Sequence, residues 1–255
     1  IITFKPQYAM KNHDFHNKRN NWNPGLRELF EAPNFLTQRS IYKSVHHLSD
    51  KINGVVLDVG CGTKPYQELF LAKEYIGLEI RSQRESLADV YYDGKIFPFA
   101  DDSFDSVVAF QSIYQFDDIN NAFEEISRVL KPDGVMLVSV PFIWFDSNVT
   151  TEYRLSFQNT IKLLEKNGLI LEEQLLLCNN LSAIITLFNS YTNSELLDKI
   201  KIRILRKILK LLVTFVCNLL GLLSMKILPK SSSLYLNRIF VAKNVNHRIN
   251  KLDSV

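Results

Sequence analysis

Short groups of residues have the types and spacing to hold a ligand by its polar edges: Asp58-Val59-Gly60-Cys61-Gly62, Glu79-Ile80, Asp93-Gly94 and Gln111. Each closes or follows an apolar run, so each falls where a strand gives way to a loop. A Gly-x-Gly turn lets the backbone approach a ligand because no side chain intervenes, and it tolerates torsions that other residues resist. About twenty residues on, Glu79 ends the run Tyr75-Ile76-Gly77-Leu78, where a carboxylate can accept hydrogen bonds from ribose hydroxyls. The chemistry indicated is recognition of a nucleoside-containing ligand.

Such groups act together only if strands bring them to one edge. Apolar runs predict strands over Val55 to Val59, Tyr75 to Ile80, Val90 to Tyr92, Ser106 to Phe110, Val135 to Val140, Ile170 to Leu177 and Leu234 to Ala242. Helical patterns lie over Asn34 to Lys51, Pro65 to Ala72, Ile119 to Leu130 and Phe157 to Asn167, with Pro65 suited to a first helical turn. This alternation implies a parallel sheet covered on both faces. The polar, Asn-rich stretch 1–35 is expected as an irregular arm. Residues 36–178 plus 234–244 form the ligand-binding domain, and 179–233 is a helical insertion before the last strand. Following a parallel strand, the insertion should emerge at the carboxyl ends, where open α/β sheets bind ligands, and overhang the site.

Which nucleoside is bound depends on detail. A dinucleotide turn wants a third glycine where this chain has Pro65, and a helix N-terminus aimed at pyrophosphate. Asp58 beside the turn suits a cationic ligand instead, one with an ammonium and a sulfonium, such as S-adenosylmethionine (SAM). The segments VLDVGCGTKPY, YIGLEI, DGKIFPFADDSFDSVVAFQSIYQFDD and EEISRVLKPDGVMLVSVPF resemble the successive motifs of class I SAM-dependent methyltransferases, of the type found in polysaccharide biosynthesis clusters. The resemblance implies an α/β fold: a Rossmann-like, doubly wound, seven-stranded sheet, mostly parallel, with an antiparallel last strand. It also implies that Gly60, Cys61 and Gly62 face the amino-acid part of SAM with Asp58 in support. Glu79, with Ile80, would take the ribose, Asp93 and Gly94 the adenine, and Gln111 the methionyl group.

Methyl transfer mainly needs orientation and desolvation, with a base for poor nucleophiles. Where the family pattern often carries Glu-His, this chain has Tyr114-Gln115, and an amide is no general base. The candidates left are Glu152, in a segment Glu152-Tyr153-Arg154 that resembles polysaccharide-cluster relatives, and His13 and His16 in the arm. No metal is expected, since His13 and His16 have no third ligand.

The 255 residues are 46% hydrophobic and 22% charged, ordinary values for one main globular domain. Three scattered cysteines suggest neither a disulfide framework nor a zinc site, and the first residues lack the apolar core of a signal peptide, so a cytoplasmic protein is expected. From Lys199 to Met225, leucines such as Leu212 and Leu219 recur at helical spacing, with Arg203, Arg206, Lys207 and Lys210 on the other side. This amphipathic helix is expected to pack its apolar stripe on the domain or on a twin subunit in a homodimer. The alternative is that 199–228 lies on an anionic membrane surface, making the protein peripheral to the inner face. Nucleic acid is not expected, because no aromatic platform interleaves the basic residues. The leading reading is O-methylation of a sugar or lipid-linked glycan. Alternatives are an isoprenoid or lipid acceptor, or an inactive SAM-binding partner or scaffold.

Overall fold

The computed structural model describes residues 23–80, 86–145 and 153–245. The strands β1 (Asn53–Val59), β2 (Leu71–Ile80), β3 (Val90–Tyr92), β4 (Phe104–Phe110) and β5 (Leu130–Pro141) pair in parallel. β7 (Asn237–Asn244) runs antiparallel between β5 and β6 (Leu169–Leu177), and the sheet order is β3-β2-β1-β4-β5-β7-β6. The expected Rossmann-like sheet with a reversed last strand is therefore present. Central strands read as continuous apolar runs because both faces are covered. On one face α3 (Ile119–Val129) and α4 (Phe157–Lys166) bury Phe123, Ile126 and Leu164 against Phe104 and Val107. On the other, α2 (Phe35–Leu48) packs Ile41, Val45 and Leu48 on Val56, Val108 and Ile239. The order reverses between β1 and β4, and the carboxyl ends of the strands at such a reversal are where open α/β sheets bind ligands.

The helix expected over Pro65 to Ala72 does not form. A single 3-10 turn, Gln67–Leu69, leads directly into a longer β2. Pairing explains why: Asn53 sits opposite Leu71 and Val59 opposite Leu78, so residues 63–70 must run back along the whole of β1. A strand of that length spans roughly 23 Å at about 3.3 Å per residue, whereas a helix of eight residues advances only about 12 Å. Tyr66 and Phe70, spaced like a helical stripe, instead anchor this connection against Phe110, with ring centroids 4.7 and 6.1 Å away.

The arm also departs from expectation, because Leu26–Glu31 forms a short helix, α1, within 1–35. His13 and His16 lie outside the described residues. The insertion contains α5 (Leu181–Tyr191) and α6 (Arg203–Ile227) joined by a π-helical turn over Thr192–Leu196. The direction in which α6 faces is opposite to that expected. Its buried residues are Thr214, Cys217, Asn218, Gly221 and Ser224, while Leu212 and Leu219 are exposed. The inward side is set by close approach and by amides. A Cβ on Gly221 would lie 2.1 Å from Leu36 Cδ1, and Asn218 Nδ2 donates to the Leu29 and Ala32 carbonyls at 2.9 and 3.0 Å. The first of these bonds gives the Leu29 carbonyl a donor that the helix cannot supply, since Pro33 has no N–H, and the second adds to the bond the Ala32 carbonyl already accepts from Phe35 N.

Candidate active site

The loop after β1 is drawn across the end of β2, as Gly60 N and Cys61 N both donate to the Leu78 carbonyl, at 2.8 and 3.2 Å. Gly60 and Gly62 have φ of +69° and +50°, the left-handed region that favours glycine. A Cβ on Gly60 would collide with Ser112 Cβ at 2.4 Å, whereas around a Cβ on Gly62 no atom of the described residues lies within 4 Å. The first glycine lets the turn close on β4, and the second leaves open space above it. Glu79 reaches that space from β2: Oε2 accepts from Gly62 N and Oε1 from Ile80 N, both at 3.1 Å. Gly94, with φ +88°, faces Ile80, whose Cδ1 would be 3.4 Å from an added Cβ. Asp93 is exposed beside them and accepts from Lys95 N at 3.0 Å. Gln111, also left-handed at φ +54°, is pinned by Ser139, its N and Nε2 donating to Ser139 Oγ at 3.2 and 3.1 Å. The structure thus brings Gly60, Cys61, Gly62, Glu79, Ile80, Asp93, Gly94 and Gln111 to the carboxyl edge on either side of the reversal point.

Asp58 occupies a different position. Only 2% of it is exposed, and its Oδ2 accepts from the Tyr75 hydroxyl at 2.7 Å behind the turn. Burial pushes its carboxyl up to about 7, against the smaller downward pulls of the Tyr75 hydrogen bond and the Lys64 charge. Burial likewise pushes the Cys61 thiol up to about 12, reinforced by Asp58 and Glu79, so Cys61 stays protonated and is no nucleophile.

Several supporting residues carried no motif signal. Lys64, nearly buried, pairs with Asp89, which also accepts from Gly77 N at 2.7 Å and so ties the turn to β2. Ser112 Oγ donates to the Val59 carbonyl at 2.6 Å and locks β1 to β4. Glu125 Oε2 accepts from Phe97 N at 2.6 Å, while Arg128 donates to the Phe97 and Phe99 carbonyls, bracing the turn that follows Asp93 and Gly94. The i, i+3 spacing of Glu125 and Arg128 on a helix was a visible sign of pairing, but not of what the pair would hold.

On the acceptor side the expected base is absent from the described residues. Glu152 lies outside them, and His46 and His47 sit at the far end of α2, before β1. Gln115 Nε2 donates to the Tyr114 hydroxyl at 3.0 Å, and Arg154 lies 5.9 Å from the Tyr114 ring centroid. Tyr153 N donates to the Tyr114 carbonyl at 2.9 Å, which closes the segment after β5 over the turn after β4.

Sheet order, glycine turn and strand-tip acid together are those of the class I SAM-dependent methyltransferase fold. Residues 57–138 match the family described as Methyltransferase domain, whose cofactor is SAM. The mitochondrial arginine-hydroxylase NDUFAF5 of Homo sapiens is 33% identical over 116 residues, 41% of this chain and 32% of that protein. The sterol 24-C-methyltransferase ERG6B of Gibberella zeae is 34% identical over 118 residues, 38% of this chain and 31% of that protein. An S-adenosylmethionine-dependent methyltransferase from Mesorhizobium loti superposes with a TM-score of 0.51 at 12% identity, over 82% of this chain and all of that one. The chain therefore spans about a third of the curated relatives' length, and the solved structure speaks to the fold alone.

The residues present fit SAM. No helix begins at the turn to aim a dipole at pyrophosphate, no described residue crowds an added Cβ on Gly62, and Glu79 stands beside it. Glu79→Ala should weaken SAM binding at least tenfold, since hydrogen bonds to a charged group contribute about 1.5 to 3 kcal/mol. Calorimetry reads this directly, and an unchanged affinity would remove Glu79 from the site.

Proposed function

We propose that this protein is a SAM-dependent methyltransferase that methylates a hydroxyl of a sugar or lipid-linked glycan. The observation that carries the methyl-transfer reading is the open left-handed turn at Gly62 with the Glu79 carboxylate 3.1 Å from its N–H, at the point where the strand order reverses. When bound, SAM supplies an electrophilic methyl group on a sulfonium. The glycine turn admits its amino-acid end, Glu79 fixes the ribose, and Gln111 borders the path to the acceptor. The acceptor class is supported by the wall of Tyr114, Gln115 and Arg154, which offers an aromatic face with amide and guanidinium donors, the chemistry that suits a polyol. A lipid acceptor is the second reading, favoured by the exposed apolar residues of α5 and α6 beyond β6.

The deciding experiment incubates the protein with labelled SAM and candidate acceptors, then follows S-adenosylhomocysteine and the methylated product by mass analysis. Cofactor that binds but never turns over would make the chain a scaffold. Gln115→Ala should change the rate through positioning and leave the shape of the pH profile unaltered, because an amide takes up no proton in this range. Loss of the ascending limb in that variant would contradict this role.

A further inference from the structure

The helix pair after β6 has its polarity reversed relative to a bundle in water. α5 and α6 run antiparallel, and their seam is polar: Asn193 Nδ2 donates to Thr214 Oγ1 at 3.1 Å, Asn189 Nδ2 to Asn218 Oδ1 at 3.4 Å, and Asn180 Nδ2 to the Ser224 carbonyl at 2.9 Å. Small and amide side chains at a helix seam, with large apolar ones outside, are the arrangement helices adopt in lipid. Among the described residues nothing covers the outer face, where Ile184 and Phe188 of α5 are 52% and 57% exposed and Ile208, Leu212 and Leu220 of α6 are 56%, 57% and 51% exposed. Large apolar side chains exposed on two neighbouring helices mark an interaction surface.

Charge identifies the occupant. Exposed Lys201, Arg203 and Lys207 stand at one end of α6 and Lys226 and Lys230 at the other, and no Asp or Glu occurs from Lys199 to Lys230. Asp198, just before the helix, is already paired with Lys210 at 2.8 Å, so in a two-fold pairing of the same face, α6 against α6, Lys201, Arg203 and Lys207 would meet another basic end. Anionic headgroups answer both ends at once. By length and composition α6 could cross a bilayer, with mean hydropathy 2.1 over its most apolar window. The middle of its inner side, however, is held to the domain, by Phe30 stacked on Phe215 at 4.4 Å, by Asn218 on the Ala32 carbonyl and by Gly221 on Leu36. A helix whose one side is packed on a folded domain cannot be surrounded by lipid, so α6 would meet a bilayer with its outer side only.

We propose that the outer face of α5 and α6 is a docking surface for an anionic lipid bilayer. Ile143 and Trp144 of the loop after β5 pack into the same cluster as Ala183, Leu222 and Met225, so docking would turn the carboxyl edge of the sheet toward the headgroups. The surface stands apart from the methyl-transfer reading, and its test needs no turnover. The full chain is floated with vesicles of phosphatidylcholine alone or mixed with phosphatidylglycerol. It should float with the anionic vesicles, less so as salt rises. The double change Arg203→Ser, Lys207→Ser should weaken binding about tenfold or more. Leu212→Ser with Leu220→Ser should also release the protein while its circular dichroism and unfolding temperature hold, since both side chains face outward. Absence of flotation with both lipids overturns the proposal. So does a dimer in lipid-free solution that the leucine changes split, which would assign the face to a second copy.

Discussion

Gly60→Val should yield a protein that binds SAM at least 100-fold more weakly and unfolds at a lower temperature. The backbone at Gly60 has φ +69°, where a β-branched residue is strained by about 1 to 2 kcal/mol. Its Cβ would lie 2.4 Å from Ser112 Cβ and 2.9 Å from Ser112 Oγ. Ser112 is not free to yield, because its hydroxyl is bonded to the Val59 carbonyl at 2.6 Å, and moving it separates β1 from β4. Overpacking of this kind adds about 1 to 3 kcal/mol. Gly62→Ala is the contrasting control: among the described residues nothing lies within 4 Å of its Cβ, so stability should fall by about 1 kcal/mol through φ alone. Its SAM affinity should nevertheless drop, because the space taken is the ligand's. Wild-type affinity in both variants would place the cofactor elsewhere.

Asp58→Asn should stabilise the free protein at pH 8 by as much as about 4 kcal/mol, the equivalent of a carboxyl held at about 7 in place of 3.8. The direction follows from proton linkage. A carboxyl whose folded value is raised binds its proton more tightly in the native state, so its contribution to stability is best at acid pH and is lost between about 4 and 7. An amide has no such dependence, and its oxygen still accepts from the Tyr75 hydroxyl. The advantage of the variant should therefore shrink to nothing as pH falls toward 4, as urea midpoints across that range would show. A buried acid that costs stability makes sense where a cation binds nearby. SAM should draw the proton off Asp58, so wild-type affinity should rise from pH 6 to 8 while that of the variant stays flat. A variant less stable than wild type at pH 8 would mean that Tyr75 and Lys64 outweigh burial.

Much of this edge was legible in the chain because it is local. A carboxylate or glycine at the tip of an apolar run stays at that tip wherever the strand goes, so Glu79, Gly94 and Gln111 were found without knowing their neighbours. Asp58 was found too, but alternation along a strand does not say which face carries a ligand, and its place behind the turn came only with Tyr75. The braces Lys64 with Asp89, Ser112 with Val59 and Glu125 with Phe97 join residues 25 to 53 apart in sequence, beyond the reach of any local pattern.

By itself the sequence determined the alternating α/β class, the strand tips, the glycine turn and the helical periodicity of α6, each of which depends on residues a few positions apart. Tertiary structure decided the rest. Pairing of Asn53 with Leu71 forced an extended connection where the spacing of Tyr66 and Phe70 read as a helix. The same contest settled α6, where periodicity defines two faces but not which turns inward. Gly221 admitting Leu36 and Asn218 answering the Leu29 carbonyl drew the small and polar face in, because a carbonyl left without a donor costs more than an exposed leucine.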